Sequence, residues 1–540
     1  MKPKKIILCF LLSVLFLMSV SARADVGPTY AVVKCTVVPL SGPAIENGVI
    51  IIRDGLIETV GVSGEVSIPQ DAEVIEAEEM FAYPGLICAH TTLLLEPAKP
   101  PSQRSASTQT TAPPEAKPSW QQADLMAFDK LKISKSKIED LHKIGITTIL
   151  VAPEREIFAG QSVILNVYGE KKESMVLRQP FGLHVNFVTA RGEYPSSLMG
   201  TMALLRQSFL DTEHYHLHVT HHSKSSNGLK RPVYNPFYEN LVPYVVDKKP
   251  VIFNCANLED IKRAIRLTQD FKLNGFISGA NEAWRVVDWI KKADLPLLVS
   301  LDFKPPLISK YVRQGEDLKK EAEDKIYPAN ASKLHKQGIP FAFTSLGLSK
   351  SSDILKNIQK AIKAGLPEVE ALKALTVHPA QYLGIEDLVG TLEPGKIANV
   401  VLTSGKIFEK ETKVRRVFVD GLSFEVKQPS EKAKPTSLDI SGKWSAVVSS
   451  PMGDMDMTIE FVQEETEVTG FFDSEMGKWD IRSGVLSGSD LSFTLSATIM
   501  GESMDMEFSG KVEKESLEGT ISFEGGSAEL KATKIPDEGN

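Results

Sequence analysis

Strands and helices alternate in the middle of the chain, and this order constrains the fold more than any other sequence feature. The apolar segment VIFN (251–254) precedes a stretch in which Ile261, Ala264 and Ile265 recur at helical spacing. GFIS (275–278) precedes a second stretch of the same kind. Repeated strand and helix predict a parallel sheet. A region of about 300 residues with this texture predicts a closed eight-stranded β/α (TIM) barrel, which typically needs about 250.

Short β-rich runs broken by Gly and Pro flank the alternating region, at 30–74 and again at 388–426. Such runs are typical of a small β-domain. Because the two runs enclose the alternating region, we predict that the barrel is inserted into one composite β-sandwich domain. The predicted boundaries are 25–80 and 385–427 for the β-domain and 81–384 for the barrel.

The last hundred residues have a different texture. After a predicted linker at 428–436 (QPSEKAKPT), residues 437–540 contain short alternating runs with Gly at the turns, which predict an antiparallel barrel or sandwich. The segments MGDMDM (452–457) and MGESMDM (500–506) are similar and predict two corresponding hairpins. Alternating Met on a strand is more typical of a core than of a metal-binding methionine box.

The first 24 residues have the pattern of a secretory signal. They combine a basic start, an apolar run over 6–20 and a small-x-small site at 22–24, which predicts cleavage before Asp25 and export to the periplasm or beyond. No later stretch reaches 18 apolar residues, so we expect no membrane span.

Cysteine content and net charge exclude two classes of protein. Three cysteines follow the leader, and an odd number argues against a disulfide framework. The formal charge of −8 becomes −12 when the four basic residues of the leader are removed. Because nucleic-acid affinity depends on clustered Lys and Arg, we expect no nucleic-acid partner.

Specific motifs bracket the predicted barrel. They resemble those of the amidohydrolase superfamily, particularly its imidazolonepropionase-like branch, and extend from residue 31 to about 424. The segment 194–200 resembles an exported subgroup, and the last hundred residues resemble a small β-barrel module of some bacterial exported members. The bracketing motifs are ENGVIIIRDGLI (46–57), YPGLICAHTTL (83–93), EALKALTVHPAQYLG (370–384) and GTLEPGKIANV (390–400).

The resemblance implies a metal centre at the carboxyl ends of the barrel strands. In the family, one or two divalent ions such as zinc activate water to hydrolyse non-peptide C–N bonds. The implied ligands are His-x-His on strand 1, a carboxylated Lys or a Glu on strand 4, His on strands 5 and 6, and Asp on strand 8. Only one of these ligands is kept here, and strand 4 offers no carboxylate or Lys. The residues at the family positions are Cys88, His90 and Thr92 on strand 1, Asn254 on strand 5, Ser278 on strand 6 and Leu346 on strand 8.

The pair Cys88 and His90 admits two interpretations. Two residues apart on one strand, they are predicted to share the inward face. They form either a soft-metal or nucleophilic pair, or a packed thiol beside an orphaned histidine, and the second is the more typical. Cys255, next to Asn254, is predicted to lie in the outer core of the barrel.

Other histidines and carboxylates are also open to more than one interpretation. Strand parity leaves His184 facing either the lumen or the outside. His214, His218 and His222 share a face if the helix beginning near residue 198 continues, so they bind zinc or nickel adventitiously or form a solvated helix end. Asp302 is interpreted as an ordinary surface or helix-start residue.

The leading hypothesis is an exported amidohydrolase-superfamily protein that has lost its metal centre, in which any metal is held through His90 alone. The barrel mouth would then bind a small molecule or peptide without hydrolysing it, beneath a mobile lid at 97–120. One alternative is an active C–N hydrolase for cyclic amides or dipeptides with a rearranged or single-metal site. Another is an extracytoplasmic interaction scaffold that acts through the C-terminal β-domain. The oligomeric state is not predicted.

Overall fold

The computed structural model describes residues 27–95, 118–169, 171–190, 192–304, 320–348, 350–426 and 438–535, except 451–452, 475–476, 500–501 and 524–525 in the last range. The predicted leader, the linker at 428–436 and most of the predicted lid at 97–120 lie outside these residues.

A β-sheet opens the fold. Strand β1 pairs with β2 in the antiparallel direction and with β4 and β5 in the parallel direction. The inward side chains of β1 and β2, among them Val32, Ile50 and Ile52, are fully buried because β-branched residues pack well on a pleated surface. These strands are β1 (Tyr30–Val37), β2 (Ile45–Arg53), β3 (Leu56–Val62), β4 (Glu73–Glu76) and β5 (Phe81–Pro84).

The barrel follows directly. Its strands form two sheets, in the orders β10-β9-β7-β6 and β15-β14-β13-β12-β11-β8. The Ser345 amide donates to the His90 carbonyl at 3.1 Å, which joins β15 to β6. The strands are β6 (Leu86–Thr91), β7 (Ile146–Val151), β8 (Phe158–Gln161), β9 (Val163–Asn166), β10 (Val176–Arg178), β11 (Leu183–Asn186), β12 (Pro250–Cys255), β13 (Asn274–Gly279), β14 (Leu297–Ser300) and β15 (Ala342–Thr344).

The third barrel strand runs opposite to its neighbours. It consists of β8 and β9, which are separated only by Ser162, and it pairs antiparallel with both β7 and β11. A parallel crossover needs a dozen or more residues, and the segment 152–157 between β7 and β8 is too short for one. The predicted β/α barrel is confirmed, with this one reversal.

Helices cover the outside of the barrel. Helix α4 shows how the sequence specifies them: the Asn257 side chain accepts hydrogen bonds from the first turn, and the chain leaves at Lys272 in the left-handed region. No described helix is both long and apolar enough to cross a bilayer. The helices are α1 (Lys135–His142), α2 (Leu198–Lys224), α3 (Pro236–Val245), α4 (Leu258–Phe271), α5 (Val287–Ala293), α6 (Ala329–Lys336), α7 (Ser352–Lys363), α8 (Glu368–Lys373) and α9 (Val377–Leu383).

The chain then returns to the first sheet through β16 (Val400–Thr403), β17 (Val414–Val419) and β18 (Leu422–Glu425). Strand β16 pairs with β5, so the barrel is inserted between the two halves of one sheet. The Asn399 side chain ties the two parts together, because it donates to Thr148 and Asn166 of the barrel and accepts from the Asp420 amide.

The last described part of the chain is a closed antiparallel barrel, which is one of the two architectures predicted for it. Each strand pairs with the next, and β19 pairs with β26, so every strand has two neighbours. The strands are β19 (Gly442–Ser450), β20 (Gly453–Glu464), β21 (Glu467–Ser474), β22 (Gly477–Ser487), β23 (Asp490–Ile499), β24 (Glu502–Glu513), β25 (Ser516–Phe523) and β26 (Gly526–Lys534).

Candidate functional site in the barrel lumen

Polar side chains replace apolar ones near the carboxyl ends of the barrel strands. Deeper in the lumen, Ile87, Ile252 and Phe276 belong to one buried apolar cluster. Two residues further along β12 and β13, Asn254 and Ser278 pair with one another and lie on the same face, since side chains alternate along a strand. We call His90, His184, Asn254 and Ser278 the polar layer. It lies at the end of the barrel where such folds carry their sites.

His90 points into the lumen from the penultimate residue of β6. The pairing register of β6 and β7 shifts between Cys88 and Thr91, and such a bulge re-aims the side chains that follow it. His90 Nδ1 lies 2.8 Å from Ser278 Oγ. Its ring centroid lies 4.7 Å from that of His184, edge to face.

Cys88 does not share the inward face with His90, so that prediction was wrong. Ile87 and Ala89 belong to inward clusters, whereas Cys88 packs in the large cluster between the strands and the outer helices. Its Sγ contacts Ser345 Oγ at 3.4 Å. The bulge that follows Cys88 is the physical reason. Because burial raises the pKa of Cys88, the thiol stays protonated and is a packed group rather than a nucleophile.

His184 faces the lumen from β11. Neither of its ring nitrogens has a hydrogen-bond partner among the described residues, and the same holds for His90 Nε2 and Asn254 Oδ1. Buried polar atoms in native proteins are usually hydrogen-bonded. Four unpartnered atoms on three neighbouring side chains therefore make the polar layer a candidate binding site.

Both imidazoles of the layer are neutral. Burial lowers the pKa of His90 to about 3. The pKa of His184 lies well below its ordinary value because of burial, and because a charge on His90 would repel one on His184; the nearby Asn254 amide partly opposes this. A neutral imidazole offers one donor and one acceptor, so the pair recognises ligands through hydrogen bonds rather than charge.

Asn254 is held by a chain of hydrogen bonds that leads to the mouth. Its Nδ2 donates to Asn186 Oδ1 at 2.7 Å. Asn186 in turn donates to the carbonyls of Glu154 and Glu156 in the turn after β7. Asn254 is half-buried. Its carbonyl oxygen is therefore held in a fixed position near His184, whose pKa it raises against the effect of burial.

Thr92 and Leu346 lie beyond the ends of their strands. Both are half-buried, and no hydrogen bond connects the Thr92 side chain to the polar layer among the described residues. Leu346 donates its amide to Thr344 Oγ1 and accepts from Ser300 Oγ through its carbonyl. The two positions therefore form the rim, while the polar layer lies deeper.

The residues of the lumen do not fit the metal centre that the resemblance implies. Across the described ranges, no group of three or more His, Cys, Asp or Glu side chains is placed to hold a metal ion. A catalytic zinc needs about three protein ligands, and the polar layer offers two imidazoles with no carboxylate. Leu346 supplies no oxygen at the strand 8 position.

Two carboxylates lie after the mouth ends of separate strands. Glu154 follows β7, and burial together with repulsion from Asp302 raises its pKa against the opposing charge of Arg155. Asp302 follows β14, and burial raises its pKa as well. The loop after β15 comes close to Asp302 at Gly347, where φ is +91° and a Cβ would lie 2.6 Å from Asp302 Oδ2. Asp302 was predicted only as an ordinary surface or helix-start residue and Glu154 was not singled out, because nothing in the sequence links two residues so far apart in the chain.

The other sequence candidates lie outside the lumen. Helix α2 continues through the histidine tract to Lys224, and the rings of His214 and His218 are 6.3 Å apart. His218 Nε2 is 2.8 Å from the Lys230 carbonyl, so His218 makes a structural contact with the loop after α2. Cys255 packs in the outer cluster, and none of the three described cysteines forms a disulfide.

Trp120, at the end of the predicted lid, is an anchor. It is buried, and its ring meets those of Phe158 and Phe237. The mobility predicted for 97–120 therefore does not extend to Trp120, because its ring is packed among other aromatic groups. Residues 97–117 lie outside the described ranges.

Comparisons with known proteins agree with this architecture. Residues 328–428 match the amidohydrolase family. A solved amidohydrolase from Thermotoga maritima MSB8 has a TM-score of 0.61 and 24% sequence identity; the match covers 73% of this chain and 100% of that one.

Curated relatives match over short stretches only. A 5-methylthioadenosine/S-adenosylhomocysteine deaminase from Moorella thermoacetica is 48% identical over 58 residues, or 11% of this chain and 14% of that protein. An adenine deaminase from Carboxydothermus hydrogenoformans is 35% identical over 77 residues, or 13% of this chain and 12% of that protein. The chain thus spans about one seventh of the length of the curated relatives it matches. Residues 328–428 are an amidohydrolase-family domain segment, and the chain has the amidohydrolase barrel fold with a closed C-terminal β-barrel added.

Proposed function

We propose that the barrel binds a small, uncharged, planar heterocycle, such as a nucleobase or a cyclic amide, without metal-dependent hydrolysis. The observation that carries this proposal is the set of unpartnered atoms on His90, His184 and Asn254. Two neutral imidazoles and an amide carbonyl present donors and acceptors without charge. The names of the matched deaminases suggest purines as the first compounds to test.

The ligand would enter from the mouth and hydrogen-bond to the polar layer. Asn254 is fixed by Asn186, so its oxygen, which has no hydrogen-bond partner among the described residues, is already ordered before a donor arrives. The His90 ring is held by Ser278, which leaves Nε2 for the ligand. Fixed polar groups lose little freedom when a ligand binds, and this favours affinity.

Titration calorimetry with adenine, 5′-methylthioadenosine and hydantoin tests the proposal on protein dialysed against a chelator. We expect saturable binding of at least one compound, unchanged by added zinc. His184→Ala and Asn254→Ala should each weaken it about tenfold or more, since each loses a hydrogen bond to the ligand. The control is His221→Ala, which removes an exposed imidazole from α2 and should leave the affinity unchanged.

Two outcomes would overturn the proposal. One is that none of the three compounds binds. The other is stoichiometric zinc in the purified protein together with zinc-dependent conversion of a bound compound, which would establish the family's usual chemistry instead.

A second candidate function is hydrolysis with a rearranged site, which the Glu154 and Asp302 pair favours. Two carboxyl groups with raised pKa values at one mouth suit general acid–base work. Mass spectrometry of the same three compounds after incubation would detect it. Asp302→Asn should abolish any turnover, while Asp294→Asn, an exposed control, should leave it intact.

We also propose that the protein is exported by residues 1–24. The basic start, apolar run and small-residue cleavage site support this. The intact mass of the protein from its native host should correspond to a chain that begins at Asp25. A mass that includes residues 1–24 would contradict this proposal.

A further inference from the structure

The position of the proton on the His90 ring is not fixed by its hydrogen-bond partner. A neutral imidazole carries one proton, on Nδ1 or on Nε2, and the nitrogen without it is an acceptor. The groups bonded to the ring decide which nitrogen carries the proton. His90 Nδ1 lies 2.8 Å from Ser278 Oγ, and its Nε2 has no partner among the described residues. A hydroxyl both donates and accepts, so Ser278 is compatible with either tautomer of His90.

Three other histidines differ from His90 in this respect. In each of them a ring nitrogen faces a backbone carbonyl oxygen, which only accepts, so that nitrogen must carry the proton. The contacts are His142 Nε2 with Val167 at 2.7 Å, His218 Nε2 with Lys230 at 2.8 Å and His378 Nδ1 with Phe341 at 2.9 Å. The fold therefore sets the tautomer of these three rings and leaves that of His90 open.

The Ser278 hydroxyl has no second partner that would set its direction. Ser278 is fully buried on β13, and among the described residues its side chain is hydrogen-bonded to His90 alone. Ser345 provides the contrast, because its hydroxyl donates to Thr91 Oγ1 at 2.8 Å and accepts from the Cys88 thiol at 3.4 Å. Both roles of the Ser345 hydroxyl are thus assigned. The Ser278 hydroxyl, in contrast, can reverse without breaking another bond.

No partner other than Ser278 orients the His90 ring. His184 meets it edge to face, but neither nitrogen of His184 has a hydrogen-bond partner among the described residues. In a Ser-His-Asp triad, a buried carboxylate holds the histidine in one tautomer. Within the described part of the chain, no carboxylate is hydrogen-bonded to His90. Burial lowers the pKa of His90 to about 3, so the ring is neutral at physiological pH and has a single proton to place.

We propose that Ser278 is a specificity-determining residue of the polar layer, because its reversible hydroxyl lets His90 Nε2 serve either as a donor or as an acceptor. This inference rests on the proposed binding of a heterocycle in the lumen. When the ligand presents an acceptor, Nε2–H donates to it and Nδ1 accepts from the Ser278 hydroxyl. When the ligand presents an N–H, Nε2 accepts and Nδ1–H donates to Ser278 Oγ.

The ligands that suit such a site are the amino and oxo forms of one heterocycle. Adenine has an acceptor nitrogen at ring position 1, whereas hypoxanthine has an N–H at the same position. A buried site with a fixed donor would accept the first and reject the second, because two donors would face one another. The reversible His90 and Ser278 pair removes this penalty, so we expect the polar layer to bind both purines.

Nitrogen-15 NMR of the full chain with labelled histidine tests the proposal, since the ring nitrogens report which of them carries the proton. The variant His90→Gln identifies the His90 signals. We expect both tautomers in the free protein, the Nε2–H form with adenine and the Nδ1–H form with hypoxanthine. His142 is the internal control and should stay in the Nε2–H form throughout, because it faces the Val167 carbonyl.

Calorimetry tests the role of Ser278. The parent should bind adenine and hypoxanthine with Kd values within about threefold of one another. Ser278→Ala leaves Nδ1 without a partner, and because a buried N–H is rarely left unbonded, the Nε2–H form should dominate. Hypoxanthine should then lose at least about tenfold more affinity than adenine. Ser278→Thr retains the hydroxyl and should restore the parent ratio. Ser332→Ala, which removes a buried hydroxyl from α6, is the matched control and should not change the ratio.

Two results would overturn this inference. One is a single tautomer of His90 in the free protein and in both complexes. The other is an equal loss of both affinities in Ser278→Ala. If neither purine binds, the free protein decides. Two tautomers that collapse to the Nε2–H form in Ser278→Ala would support the role of Ser278 and count only against purines as the ligand, whereas one fixed tautomer would remove both ideas.

Discussion

His90 and His184 meet edge to face in the barrel lumen with ring centroids 4.7 Å apart, although β6 and β11 are not neighbouring strands. The contact crosses the lumen between the strand 1 and strand 4 sides of the barrel. Neither ring has a carboxylate partner among the described residues. Because both rings are neutral, the barrel carries this pair without a buried ion and its large desolvation cost.

Replacing His184 with Leu should stabilise the protein while it removes ligand binding. The change exchanges a buried imidazole with no partner for an apolar side chain, which is neutral or favourable by about 1 to 2 kcal/mol. Chemical denaturation would measure it. His142→Leu is the matched control, because His142 Nε2 is 2.7 Å from the Val167 carbonyl, and that variant should lose stability. Equal losses in both variants would contradict the interpretation of the polar layer.

Acid should destabilise the protein through His90 and His184. Their folded-state pKa values lie below the ordinary 6.5, so the unfolded chain takes up protons that the folded chain refuses. The stability contributed by the two neutral rings is fully present above pH 6.5. Below this pH the free energy of unfolding falls by about 1.4 kcal/mol per pH unit and proton, down to the folded-state pKa of about 3 for His90. Denaturation curves between pH 4.5 and 7 would show it. His184→Leu should reduce the slope by about one proton.

Leu346→Asp tests the absence of a metal at the rim. A carboxylate there would be half-buried, next to Gly347, which approaches the Asp302 carboxylate, so we expect a loss of about 1 to 3 kcal/mol that zinc does not restore. Leu388→Asp, at an exposed position, should be neutral. A rise in melting temperature of Leu346→Asp with zinc would reveal a partial metal site.

Thr344→Val should weaken the closure of the barrel. The Thr344 hydroxyl donates to the His90 carbonyl at 2.6 Å and accepts from the Leu346 amide at 3.0 Å. Losing both buried bonds should cost about 1 to 3 kcal/mol in urea unfolding. Thr458→Val, exposed on β20, provides the control. A cost below that of the control would mean that the backbone bond from Ser345 alone closes the barrel.

The fragment 437–540 should fold on its own. Its first and last strands, β19 and β26, pair with one another, so every strand has both neighbours within the fragment. A single cooperative thermal transition, followed by circular dichroism, is the expected result. A fragment that is unfolded at 25 °C would mean that residues before 437 supply part of its core.

Much of the fold could be predicted from the sequence because local patterns and global topology agree. The inward residues predicted for α4, Ile261, Ala264 and Ile265, are all buried. The β-rich runs at 30–74 and 388–426 also predicted a barrel inserted into one β-domain, and β16 indeed pairs with β5. Patterns of period 2 and 3.6 carry this information directly.

The composition of the polar layer could not be predicted, because it depends on how strands align. A bulge between Cys88 and Thr91 separates the faces of Cys88 and His90, and no residue in the motif marks it. His184 shares a face with Asn186, which pairs with Asn254, so its direction becomes clear only once that register is known. The raised pKa values at Glu154 and Asp302 likewise arise from contacts between distant segments.

The reversed third strand changes which connections lie at the two ends of the barrel. Its beginning, not its end, lies at the mouth, so the short turn 152–157 replaces the loops that two parallel strands would contribute. The segment after β9 emerges at the other end, where Tyr168 packs against Val401 and Val417 of the β-domain. At the mouth, the third strand therefore contributes only this short turn, while the segment that follows it contacts the β-domain at the opposite end.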